Sequence, residues 1–108
     1  MPIEMPEPVA RYFATERDHD ADALAGCFVD DGTIRDEAHT IHGPAAIRQW
    51  SIDARNKYHH TVEPLEIREE ADSIIVIGRV SGDFPGSPVD LQHLFQLRGG
   101  RIASLEIR

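Results

Sequence analysis

CFVDDGTIRDEAHTIHGPAAIRQW, residues 27–50, is the stretch on which the fold turns. Its apolar start closes a helix that reads from Ala21 to Phe28, with Leu24, Cys27 and Phe28 on one side. Asp30-Asp31-Gly32 reads as a turn. Two short strands follow, Thr33–Asp36 and Thr40–His42, and Gly43-Pro44 then opens a helix over Ala45–Lys57, where proline suits the first helical position. Ile34 and Asp36 share one face of their strand, so an acid ends an apolar, inward row. Two readings fit that acid. Asp36 either caps the Glu37-Ala38-His39 turn or is a pocket carboxylate whose proton affinity is raised by its apolar surroundings.

Upstream, Val9, Tyr12, Phe13 and Glu16 recur at helical spacing within a helix over Pro8–Arg17, and Asp18-His19-Asp20 supplies cap chemistry for the next one. Downstream, the third helix carries Ile47, Trp50, Ala54 and Tyr58 on one stripe. Four β-rich runs complete the chain: His60–Arg68, Ser73–Ser81, Val89–Arg98 and Arg101–Ile107. Gly99-Gly100 is the strongest hairpin signal, and Phe84-Pro85-Gly86-Ser87-Pro88 marks a longer break. Helices first and a meander after give an α+β fold, with helices on one face of a curved sheet whose concave side they only partly fill. A pocket is the expected result. The 108 residues read as one domain, 1–108.

Composition excludes several functions. A formal charge of −8 disfavours nucleic acid and anionic membrane as partners. The opening run Met1–Phe13 has no basic region and no long apolar stretch, so neither export nor membrane spanning is expected, and cytoplasmic residence follows. The single cysteine, Cys27, reads as a small buried hydrophobe and is compatible with a reducing compartment. His39, His42, His59 and His60 match no zinc spacing, which removes the metal reading. Neither Gly-x-Ser-x-Gly nor Gly-x-Gly-x-x-Gly occurs, so no serine nucleophile and no cofactor is expected.

On the strand Val89–Arg98, alternation puts Val89, Leu91, His93, Phe95 and Leu97 on one face. His93 is the polar member of that row. It is either a core histidine with a satisfied hydrogen bond or a pocket group facing Asp36. Tyr12 fills volume on the buried stripe and could turn its hydroxyl into the pocket. Phe28, Trp50, Tyr58 and Phe95 are the candidate ligand contacts, Trp suiting a ring-shaped ligand at a pocket mouth.

Four segments, taken in order, resemble the NTF2-like superfamily over essentially the whole chain: Arg11-Tyr12-Phe13-Ala14; Leu24–Phe28 with Val29–Asp36; Gly43-Pro44-Ala45-Ala46-Ile47; and Gln92–Ile102. The resemblance implies a cone in which three N-terminal helices pack on a curved mixed or antiparallel sheet. It places Asp36 where ketosteroid isomerases hold their general base, and Tyr12 where they hold the tyrosine donor to the dienolate oxygen. His93 stands nearest to their second, protonated acid. An imidazole there is more similar to SnoaL-like polyketide cyclases and related dehydratases.

The implied function is binding of a small hydrophobic molecule, with Asp36, Tyr12 and His93 as catalytic residues for proton transfer next to a carbonyl, as in an isomerase, cyclase or dehydratase. The alternative is a non-catalytic ligand-binding or dimerisation module. Under either reading the two-sided apolarity of Ile74-Ile75-Val76-Ile77 predicts a homodimer.

Overall fold

Three helices precede most of the sheet, in the order the sequence predicts. The computed structural model describes residues 4–108, so the reading of residues 1–3 lies outside the described residues. Helix α1 (Glu7–Arg17) has Pro8 in its first turn, an acid at its positive end and Arg17 at its negative end. Helix α2 (Ala21–Gly26) is capped by Asp20, whose side chain accepts from the Ala23 N–H at 3.1 Å. α2 stops short of the expected Phe28. The Cys27 carbonyl instead accepts from the Ile102 N–H at 2.8 Å, and Phe28 enters strand β1 (Phe28–Asp36).

The expected Asp30-Asp31-Gly32 turn is a bulge inside β1. Phe28 lies opposite Ile102 and Thr33 opposite Ser104, so the residues between loop outward from the partner strand. Asp30 and Asp31 are exposed there and pair with Arg101 and Arg98. Strand β2 (His39–His42) returns antiparallel, and helix α3 (Pro44–Tyr58) begins at the predicted proline. Strands β3 (Thr61–Glu70), β4 (Ser73–Ser81), β5 (Val89–Arg98) and β6 (Arg101–Ile107) form the expected antiparallel meander. The six-stranded sheet runs β2-β1-β6-β5-β4-β3, with β1 and β6 parallel. The sheet is therefore mixed. No helix among the described residues is long and apolar enough to cross a membrane.

The helices cover one face. Val9, Tyr12 and Phe13 from α1, Leu24 from α2 and Ile47 from α3 pack on Phe28, Ile34, Val76, Phe95, Ile102 and Leu105. Leu97 departs from its expected inward row and is 36 % exposed, because the pairing of β5 with β6 shifts between Gln96 and Leu97.

His93 is buried among these residues, 2 % exposed. Its ring lies over Gly78 of β4, where an added Cβ would stand 2.9 Å from the imidazole Cε1. Its Nδ1 is 3.3 Å from the Leu91 carbonyl oxygen, which can only accept, so the proton sits on Nδ1. Burial holds its pKa down to about 4, against weaker support for the charged ring from the Leu91 and Val76 carbonyls.

Two outcomes follow from these contacts. At Gly32, a Cβ would lie 2.9 Å from the Val29 carbonyl oxygen and 3.0 Å from Phe28 Cβ. Gly32→Ala is expected to lower the unfolding free energy in urea by about 1–3 kcal/mol. For His93, the unfolded chain takes up a proton near 6.5, while the folded chain refuses it down to about 4. Stability is thus lost as pH falls through that window and is level above it. The loss is about 3 kcal/mol by the lower end. His93→Leu should remove this part of the pH dependence; equal slopes in both proteins would show that the imidazole is not buried neutral.

Candidate functional site

The stripe of α3 fills the concave face at one end only. Ile47 is fully buried, whereas Trp50, Ala54 and Tyr58, later on the same helix, line a cavity of about 840 Å³. That volume suits a small organic ligand. Leu24, Val62, Val80, Leu91 and Ile107 give it apolar walls.

Tyr12, Asp36 and His93 all face this cavity, as do Trp50 and Tyr58. Phe28 and Phe95 do not line it. Both are 0 % exposed in the core, where their rings meet the Tyr12 ring edge-on at centroid distances of 6.2 and 5.4 Å. They belong to its support instead of its wall, because their rings pack into the core against Tyr12.

Asp36 ends β1, opposite His39 on β2 and Ile107 on β6. The two residues that follow, Glu37 and Ala38, have φ of 51° and 65°, the left-handed pair that a tight hairpin needs and that Asn-Gly usually supplies. Non-glycine residues there hold backbone strain next to Asp36. The Asp36 carboxylate turns to α3, where the Trp50 indole N–H donates to its Oδ2 at 3.1 Å. Burial raises its proton affinity and outweighs the opposing effect of that hydrogen bond. Glu37 in turn accepts from the Tyr58 hydroxyl at 3.2 Å.

Tyr12 stays protonated well above the usual phenol range. Burial is the main cause, and the charges of Glu16 and Asp36 add to it. Its hydroxyl is therefore a donor throughout the physiological range. His93 presents a neutral ring whose N–H is committed to Leu91, leaving the Nε2 lone pair.

A second polar group faces the same cavity. Glu16 lies one turn beyond Tyr12 on α1, and its Oε1 is 3.4 Å from Nε2 of His60, just ahead of β3. Their side chains are 11 % and 18 % exposed. Burial raises the Glu16 carboxyl and lowers the His60 imidazole, and the nearby Arg55 charge lowers both. Arg55 contacts His19, and both line the cavity. Sequence periodicity puts Glu16 on the buried stripe, yet nothing local joins it to a histidine 44 positions on. Among the described residues no three His, Cys, Asp or Glu side chains are grouped to hold a metal ion.

The SnoaL-like domain model matches residues 9–105. A putative polyketide cyclase from Sinorhizobium meliloti is 39% identical, with TM-score 0.93 over 96% of this chain and 95% of that one. A protein of ketosteroid isomerase-like fold from Catenulispora acidiphila, in complex with trimethylamine, is 23% identical at TM-score 0.84 over 97% and 86%. An epoxide hydrolase/cyclase-like enzyme of pyran ring formation in the polyether salinomycin is 25% identical at TM-score 0.79 over 94% and 86%. No curated protein matches the sequence. The chain belongs to the family of SnoaL-like domains.

Proposed function

We propose that the protein takes a small, largely hydrophobic carbonyl compound into this cavity and moves a proton at the carbon beside the carbonyl. The observation that carries the reading is the opening of Tyr12 and Asp36 into one apolar cavity, the first as a protonated donor and the second as a carboxylate of raised basicity. Tyr12 donates to the carbonyl oxygen and stabilises the enolate that forms there. Asp36 removes the proton from the adjacent carbon and can return it elsewhere. His93 stands at the place of a second oxygen donor in the resemblance to ketosteroid isomerases. With its N–H held by Leu91 it offers an acceptor, so it receives a hydrogen bond from the ligand.

Isomerisation, aldol cyclisation and dehydration share this enolate step, and the likeness to a putative polyketide cyclase supports that family of reactions. The same proposal includes a homodimer through the outer sheet face, where Ile77 and Leu94 lie half-buried. Light scattering in solution checks its mass.

The enolate step is read directly by exchange of the α-protons of 2-tetralone in D2O, followed by NMR. Asp36→Asn is expected to slow exchange by about a hundredfold or more, and Tyr12→Phe by about a hundredfold. Full exchange in both variants would overturn the assignment. Binding of the ketone with no exchange in the parent protein would favour the carrier reading. Trp50→Phe removes the hydrogen bond that favours ionised Asp36, so the limb of the pH–rate profile that rises as Asp36 ionises should move to higher pH.

A further inference from the structure

The Glu16–His60 pair has no part in the enolate step, although it faces the same cavity. Its setting is costly. A carboxyl and an imidazole, both largely buried, stand 3.4 Å apart in an apolar chamber, and His60 Nδ1 is buried with no hydrogen-bond partner. Tyr12, Asp36, Glu16 and His60 all line this one cavity, and the charges of Glu16 and Asp36 both act on the Tyr12 hydroxyl. Beside Tyr12 the cavity thus presents two polar groups, Asp36 with Trp50 and Glu16 with His60. A ligand whose carbonyl oxygen meets Tyr12 has the Glu16–His60 pair within the same chamber for a second polar group.

Charge narrows what that second group can be. Glu16 and Arg55 line the same cavity with opposite charges. A carboxylate drawn to Arg55 meets Glu16 and an ammonium drawn to Glu16 meets Arg55, so neither gains what a neutral group does. A wholly apolar group would leave the pair without compensation for its lost water. A neutral hydroxyl both donates and accepts, and it matches a carboxyl–imidazole pair that shares a proton. We propose that Glu16 and His60 form a hydroxyl-recognition subsite, so that the preferred ligand is a hydroxylated cyclic ketone. This inference rests on the carbonyl reading of the cavity, and its test separates the two.

The probes are 1-tetralone, its 5-, 6- and 7-hydroxy isomers, the 6-carboxy and 6-aminomethyl analogues, and the ketone-free phenol 5,6,7,8-tetrahydro-2-naphthol. Affinities are measured by calorimetry and by the fluorescence of Trp50, the single tryptophan, which lines the cavity. One hydroxy isomer is expected to bind at least about tenfold tighter than 1-tetralone, the gain of a good hydrogen bond in a desolvated site. The charged analogues should gain nothing. In Glu16→Gln and in His60→Phe the ratio of hydroxy to parent affinity should fall towards one, a ratio that a purely structural role would not move.

If 1-tetralone binds and no hydroxy isomer gains, the subsite is wrong and the carbonyl reading stands. If the phenol binds in a manner dependent on Glu16 and His60 while no ketone exchanges its α-protons, the subsite stands and the proton-transfer reading falls. Binding of none of the probes overturns both.

Discussion

The packing of the Tyr12 ring divides the inner face of the sheet into core and cavity. Phe13, Phe28 and Phe95 meet that ring edge-on, at centroid distances of 5.2, 6.2 and 5.4 Å, the arrangement that aromatic quadrupoles favour. With the ring walled in, α1 is fixed over β5, and each element leaves the core by its own period. One helical turn beyond Tyr12 brings Glu16 to the cavity; one strand repeat from Phe95 brings His93, and the next brings Leu91. The cavity wall is therefore a continuation of the hydrophobic core. Substitutions at Phe28 or Phe95 reach the site through Tyr12 and not by touching a ligand.

Desolvation acts in one direction on the ionisable groups around this space. It raises the carboxyls of Asp36 and Glu16, lowers the imidazoles of His60 and His93, and raises the Tyr12 phenol. Each shift favours the uncharged form. The protein's charge of −8 resides largely on exposed acids, several of them in surface ion pairs with arginines that contribute little to stability. Burial thus works against charge on these five groups inside an acidic shell, in keeping with the proposed hydrophobic ligand.

Local chemistry made much of the architecture legible in the sequence. Pro44 opens α3 and Asp20 caps α2 where these residue types are expected to act, and the alternation in β5 places His93 and Phe95 inward. The errors share one cause, pairing over long distances. The spacing of Phe28 from Leu24 fits a helix, but its parallel alignment with Ile102 settles it as strand. Asp30-Asp31-Gly32 has turn composition and does leave the ladder, though as a bulge within one strand. The site follows the same pattern. Tyr12, Asp36 and His93 stand out locally as polar groups in apolar rows, whereas the Trp50–Asp36 and Glu16–His60 contacts join residues that no periodicity connects.

The choice of partner for Asp36 leaves it able to act as the base of the proposed reaction. A buried carboxylate beside an arginine would be held ionised, with its basicity lost. A carboxylate with no partner would be free to swing and would take up a proton more readily still. The Trp50 indole is a neutral donor, so it fixes the carboxylate by one hydrogen bond and offsets only part of the effect of burial. The tight hairpin after Asp36 acts on the same atom from the backbone side. Its two left-handed residues reverse the chain at once, so that β2 pairs with β1 up to Asp36 itself and leaves that residue no slack. Position and basicity are thus set by separate elements, the hairpin with α3 for the first and the apolar cavity for the second.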